Sequence, residues 1–394
     1  MRRILFKNAK LVLSDRIAQQ GSLMVEGDRI AAVWEENVQS PAPAETIDLQ
    51  GLYLAPGFID IHVHGGGGGD FMDGTEDSWT RALQTHLIHG TTSLCPTTLT
   101  ASDEEIDQVF ARYRLFEKED APSMPRLLGL HMEGPFIAES MKGAQNAAYI
   151  RSPNQENADL LMKKGSGALR ILTAAPELEG ASILAAAAQK AGVLLSVGHS
   201  DGRLEDVEAA VAHGYTMATH LYSSMSTITR ENGMRIPGVL EAALLLDALD
   251  AEVIADGMHL PAALLQLVVK TKGIDHVILV TDAMRGAGLA PGHYKLGSLR
   301  DGQTVWSDGT IARMPDGVSF AGSVATADRL IRVMHEDVGV TLWQAVNMMT
   351  RNPAKALGER EIGILEPGKK ADLVCFDEHV RIRRVYRDGI AVPL

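Results

Sequence analysis

Apolar and polar positions change rhythm twice along the chain. Up to about residue 56 they alternate in short runs, ILFKNAKLVL, SLMVEGDRIAAVWE and TIDLQGLYLAPG, with the turn residues Glu26-Gly27-Asp28 inside the second. Period-two alternation broken by such residues predicts β-hairpins. From Phe58 the pattern becomes apolar strand and helical segment in turn. FIDIHVH precedes a helix near Ser78 to His89, TTSLCPTT one near Ser102 to Lys118, and RLLGLHMEG follows. RILTAAPE leads to Ala181 to Ala191, VLLSVGHS to Leu204 to Ala212, TMATHLY to Val239 to Leu246, and AEVIADG to Pro261 to Lys270, before HVILVTDAM. Eight strands alternating with helices predict an α/β fold, a (β/α)8 TIM-like barrel. A Gly-rich hairpin region, Gly292 to Gly317, then precedes helices near Val324 to Asp337 and Leu342 to Thr350. The closing GILEPGKKADLVCFD and RIRRVYRDGIAV return to short strands, which predict a small β-sandwich domain built from both chain ends. The expected domains are 1–57 with 358–394, and a barrel over 58–357.

A chain of 394 residues is the right size for a large barrel with such an appendage. The net charge of −13 argues against a general nucleic-acid or anionic-membrane surface. No apolar run reaches bilayer length, and Lys7, Asn8 and Lys10 interrupt the N-terminal run before it could act as a signal peptide. Two cysteines, Cys95 and Cys375, make neither a disulfide framework nor a zinc cluster, so a reducing cytoplasm is expected.

Barrel enzymes place their chemistry at the C-terminal ends of the strands. Here strand one ends in His62 and His64, strand three in Glu133, strand five in His199, strand six in His220 and strand eight in Asp282. Any one of these reads as a polar strand end; six on one rim read as a site. Asp60, His62 and His64 share a strand face, and the glycines Gly65 to Gly69 that follow read as structural, since they match no phosphate loop. Four imidazoles and two carboxylates suit Zn²⁺ or Fe²⁺ and are too rich in nitrogen for Ca²⁺ or Mg²⁺. They suffice for two adjacent ions, with Glu133 bridging between the His62–His64 and His199–His220 pairs. Such ions lower the pKa of bound water to about 7. Asp282 is then placed to take its proton and deliver it to a leaving group, while touching the metal itself. His131 reads as a group orienting Glu133, and His259 as one that polarises an acyl oxygen or binds the ligand. His86, His89 and His213 read as packed or surface histidines.

The stretches APGFIDIHVHGGGG, GTTSLCPTT, HMEGPFI, KGAQNAAYIR, VGHSDG, THLY, ADGMHLP, TDAM, AGSVATADR, RNPAKALG and PGKKADLVCFD span most of the chain. In combination they resemble the N-acetylglucosamine-6-phosphate deacetylases of the amidohydrolase superfamily. The resemblance implies a hydrolase of amino-sugar catabolism that converts N-acetylglucosamine 6-phosphate to glucosamine 6-phosphate and acetate. It implies metal binding by Glu133, His199 and His220 and catalysis by Asp282; because His62 and His64 are kept, two ions are favoured over one. It places the substrate against Ala144, Ser223 and Ser224, the loop Asp256, Gly257, Met258 and His259, and the segment Phe320, Ala321 and Gly322. It also implies a homodimer, in which an arginine of the neighbouring subunit holds the phosphate: Arg230, with Arg235 as its rival. Relatives commonly read KGAHN and HLYNAM where this chain has KGAQN and HLYSSM. Gln145, Ser223 and Ser224 are therefore departures, at positions expected to face the sugar or its phosphate. The alternatives are a deacetylase of another N-acetylated amino sugar or its phosphate, such as N-acetylgalactosamine 6-phosphate, a cyclic-amide hydrolase, and a silent sugar-phosphate sensor. The cyclic-amide reading is weakened because strand four ends in AAPE where those enzymes carry a modified lysine, and the sensor because all six rim residues are present.

Overall fold

A computed structural model describes residues 2–39, 44–317 and 319–394. Parts of the expected 1–57 segment, and position 318 of the expected barrel, lie outside the described residues. Eight strands form the barrel: Phe58–Val63, Thr91–Thr98, Leu130–Glu133, Leu169–Ala174, Leu194–Val197, Tyr215–Ala218, Asp250–Val253 and Val277–Leu279. Each pairs in parallel with the next. The ring closes where Val63 bridges Ala283 in parallel and the Asp282 N–H donates to the His62 carbonyl at 2.8 Å. The expected (β/α)8 barrel is therefore the fold. Its first two strands are buried at every position, as parallel strands covered on both faces must be.

Side-chain caps set the helix starts. Thr75 accepts from the Ser78 N–H ahead of Glu76–Ile88, and Ser102 from the Glu105 N–H ahead of Asp103–Glu119; acidic residues in both first turns complement the helix dipole. The helix Gln155–Lys164 is absent from the periodicity reading, because its buried face is only Ala158, Leu161 and Met162; an Asn154–Asn157 capping box starts it. The expected helix near Val324 to Asp337 begins later, at Ala327–Arg332, and continues as the π-helix Val333–Asp337. The expected Leu342 to Thr350 helix stops at Met348, and Arg351–Leu357 starts afresh with Pro353 in its first turn, where the missing N–H costs nothing.

The Gly-rich region folds as a three-stranded antiparallel unit, Gly292–Leu296, Gln303–Ser307 and Ala312–Arg313. Arg285 anchors it, donating to the Lys295 carbonyl at 3.0 Å and the Gly297 carbonyl at 2.8 Å while gripping both oxygens of Asp73 at 2.8 Å.

Strands from both chain ends share one eight-stranded mixed sheet, joined where Leu373–Phe376 pairs antiparallel with Tyr53–Pro56. Phe6, Leu11, Leu23, Leu54 and Leu373 belong to a core of its own. A fully buried arginine, Arg387, ties this sheet to the barrel by pairing with Asp120, the cap of Asp103–Glu119, and with Asp388.

Candidate active site

Local backbone conformation aims the six rim residues inward. His62 belongs to strand one and His64 follows its last residue, and their Nε2 atoms lie 3.3 Å apart. Glu133 is the last residue of strand three. His199, His220 and Asp282 stand two or three residues beyond strands five, six and eight, with φ of 50°, 29° and 47°. Side-chain-bearing residues avoid that left-handed region at a cost on the order of 1–3 kcal/mol each. Three such residues at one mouth mark a place where the chain turns sharply to present ligand atoms.

The ligand atoms form two triads, His62–His64–Asp282 and Glu133–His199–His220, with the atoms of each within 4.8 Å of one another. Glu133 Oε1 lies 2.8 Å from Nε2 of both His199 and His220, and Asp282 Oδ1 lies 3.1 Å from His64 Nε2. All six residues are buried. The ring nitrogens are arranged for a cation. His199 Nδ1 lies 2.8 Å from the Met141 carbonyl and His64 Nδ1 3.3 Å from that of Thr97; a carbonyl only accepts, so these Nδ1 atoms carry the proton and leave Nε2 free. Burial alone would raise Glu133 and Asp282, but the imidazoles around them outweigh it and hold both carboxylates below their usual range, Glu133 well below. Burial likewise opposes a charged His64, yet Asp282 and Glu133 raise it to about 9. A centre that stabilises positive charge this strongly, with nitrogen and oxygen donors only, fits a borderline divalent metal.

The model of the amidohydrolase family matches residues 53–392. The chain belongs to the amidohydrolase family. This family is metal-dependent, in agreement with the triads. Among curated proteins, the chain is 32% identical over 388 residues to an N-acetylglucosamine-6-phosphate deacetylase of Lysinibacillus sphaericus, covering 98% of this chain and 97% of that one. It is 31% identical over 351 residues to an N-acetylgalactosamine-6-phosphate deacetylase of Escherichia coli, covering 89% and 90%. Among solved structures, a mutant N-acetyl-D-glucosamine-6-phosphate deacetylase of Mycobacterium smegmatis in complex with N-acetyl-D-glucosamine 6-phosphate superposes with a TM-score of 0.90, at 30% identity over the whole of both chains.

One cavity of this amidohydrolase opens over the triads. His64, Glu133, His199, His220 and Asp282 line it, together with Ala144, Gln145, Ser223, Ser224, His259, Phe320 and Gly322 from the expected substrate set; His62 is fully buried and is not part of the lining. Several expected contacts lie elsewhere. Gln145 reaches the cavity, and its Nε2 donates to Glu133 Oε2 at 2.6 Å while its Oε1 accepts from the Thr100 N–H at 2.7 Å, so both ends of its amide are engaged by protein groups. Asp256 is buried; Oδ1 accepts from the Met258 and His259 N–H groups and Oδ2 lies 2.9 Å from His259 Nδ1, so it orients His259. Gly257 turns the loop at φ 76°, and the Met258 side chain is exposed. Ala321 is buried in the apolar cluster of Met284, Leu296 and Val305. Arg230 is exposed on the hairpin Thr229–Glu231 and Met234–Ile236, directly across from Arg235, and lies outside this cavity. Among the described residues lining the cavity there is no lysine or arginine.

His131 does not orient Glu133. Its Nδ1 lies 2.9 Å from the Ile61 carbonyl and its Nε2 2.7 Å from Thr173 Oγ1, and burial together with the charge of His62 lowers it to about 4. The alternation that puts residues 131 and 133 on one face leaves them a full step apart along the barrel axis. His86 is packed, with Nε2 2.8 Å from the Gly65 carbonyl. The glycine loop it holds is structural: a Cβ on Gly69 would lie 2.0 Å from the Ser78 carbonyl oxygen. Sequence reasoning missed Glu252, whose Oε2 lies 3.1 Å from His62 Nδ1. The available signal was a lone carboxylate between apolar neighbours in AEVI, on a strand whose inward face points toward the other ligands.

Proposed function

We propose that this amidohydrolase hydrolyses the N-acetyl group of N-acetylglucosamine 6-phosphate, releasing acetate and glucosamine 6-phosphate. The observation that carries the reading is the pair of ligand triads, with Asp282 among them, at the floor of a cavity lined by two serines and by His259. End-to-end likeness to deacetylases of this substrate supports it. Glu133, His199 and His220 would hold one zinc or ferrous ion and His62, His64 and Asp282 a second. A divalent ion at such a centre supplies the Lewis acidity that makes water a nucleophile at neutral pH.

The chain's own groups supply the remaining steps. Asp282 accepts the proton of the attacking water and delivers it to the amide nitrogen as the carbon–nitrogen bond breaks, so the amine departs neutral. Asp256 occupies His259 Nδ1 and so orients the ring, which lines the cavity, toward the acyl group as negative charge develops there. The hydroxyls of Ser223 and Ser224 donate to the sugar phosphate. With no lysine or arginine among the described residues lining the cavity, the guanidinium proposed to balance the phosphate is Arg230 of a second copy, which makes the working form a homodimer. The two buried, unpaired cysteines suit a reducing cytoplasm.

Release of primary amine by the metal-loaded protein from N-acetylglucosamine 6-phosphate, its galacto epimer and the unphosphorylated sugar tests the reading. The first is expected to be the best substrate. The Ser223-Ser224 pair and the N-acetylgalactosamine-6-phosphate deacetylase among the relatives make the epimer the competing substrate. A higher kcat/KM on it would reassign the sugar and keep the chemistry.

A further inference from the structure

We infer that Glu252 is a positioning residue for His62, and that this contact decides whether the His62–His64–Asp282 triad takes up a metal ion. Glu252 lies on barrel strand seven between Ala251 and Val253, and all three are fully buried. One carboxylate oxygen, Oε2, faces His62 Nδ1 at 3.1 Å; the other, Oε1, has no hydrogen-bond partner. A carboxylate without solvent and with half its acceptor capacity unused is costly to bury.

Its neighbours leave it a single task. His131 is the other imidazole within reach, grouped with His62 and Glu252. The Ile61 carbonyl takes the His131 Nδ1–H, so its Nε2 is an acceptor and receives the Thr173 hydroxyl proton. His131 therefore has no proton for Glu252, and His62 is the donor. With its proton on Nδ1, His62 presents the Nε2 lone pair upward, where His64 Nε2 lies at 3.3 Å and Asp282 Oδ1 at 3.7 Å. The other tautomer would carry its proton into the ligand cluster and bind nothing. His64 and His199 have their Nδ1 atoms set by main-chain carbonyls. His62 alone depends on a side chain, so this contact can be removed by substitution. The acidic acceptor also makes the ring a stronger donor to a cation.

The inference rests on the two-ion reading, and its test uses no substrate, so its failure is distinct from failure of the deacetylase assignment. Metal-free protein is titrated with Zn²⁺ and bound zinc is counted by elemental analysis and calorimetry. The unaltered chain is expected to bind two equivalents. Glu252→Leu, which removes the acceptor and fills its space, is expected to bind the first equivalent unchanged and the second about 10–100-fold more weakly. Glu252→Gln, which keeps the volume and an accepting oxygen, is expected to fall between the two and covers the case in which the leucine variant does not fold. In ¹⁵N-histidine spectra of the zinc-loaded chain, His62 is expected as the Nδ1–H form. Two equivalents bound by Glu252→Leu or Glu252→Gln at unaltered affinity, one equivalent bound by the unaltered chain, or a proton on His62 Nε2 would each overturn the inference.

Discussion

At the scale of single residues, the site separates groups that act on a substrate from groups that hold them. In the proposed mechanism Asp282 accepts and delivers a proton, so Asp282→Asn is expected to lower kcat by about 10²–10⁴-fold. Elemental analysis should still find an ion at Glu133, His199 and His220, and near-normal turnover in that variant would remove Asp282 from the mechanism. Gln145 acts one step back, donating to Glu133 at 2.6 Å. Replacing it with Leu leaves Glu133 Oε2 and the Thr100 N–H without that partner. Zinc affinity at the Glu133 triad is expected to fall about 10–100-fold, while KM for the sugar, measured at saturating zinc, changes little. A variant that raised KM alone would return Gln145 to the sugar-facing role its place in KGAQN suggests.

At the scale of elements, two loops stand out. The hairpin of Arg230 and Arg235 carries exposed apolar side chains, Ile228 and Met234, beside its charges, a composition suited to covering by a second copy. If that copy supplies the phosphate ligand, Arg230→Ala raises KM for the phosphorylated substrate about 10–100-fold, the worth of a charge-assisted bond, with kcat nearly unchanged. Arg235→Ala should be neutral, and sedimentation should report a dimer. The glycine loop after strand one depends on His86, which burial lowers to about 4 from an ordinary 6.5. Its folded-state value is depressed, so the neutral ring's contribution is complete above pH 6.5 and is lost as pH falls toward 4, where the unfolded chain binds the extra proton. The thermal midpoint is expected to drop over that window, and the drop should be shallower in His86→Gln, which cannot take up the proton. Equal slopes would show that other groups account for the acid sensitivity.

At the scale of the whole molecule, the terminal sheet has one apolar core of its own, yet its Val12, Ala55, Val374, Phe376 and Val385 pack into the barrel's core, and a charged joint adds to that contact. Arg387 is fully buried, while its partner Asp388 is mostly buried and Asp120 reaches solvent. Removing the guanidinium leaves Asp120 and Asp388 with Arg126, 3.3 and 2.9 Å away, as a remaining partner. Arg387→Met is expected to destabilise the fold by about 3 kcal/mol, the lower end for a broken buried pair because Asp120 can rehydrate. Denaturant unfolding measures this, and metal content at 25 °C should be unchanged, since the joint lies away from the barrel mouth. An unaltered midpoint would mean that apolar packing alone holds the two parts together.

The barrel and the terminal sheet were legible in the sequence, and so were the six rim residues that the fold brings together in two triads. Strand and helix periods are local properties, and a barrel turns strand order into positions on a rim. Ends of elements and short helices such as Gln155–Lys164 were less legible, because three buried side chains leave little periodic trace. Tertiary structure alone decided which side chains support which. Gln145, His131 and Glu252 sit where a pattern reading puts ligand contacts or barrel filling, and their contacts are with partners 12, 70 and 190 residues away. Hydrogen bonds are directional over about 3 Å, and that precision arises only when separate strands are brought side by side.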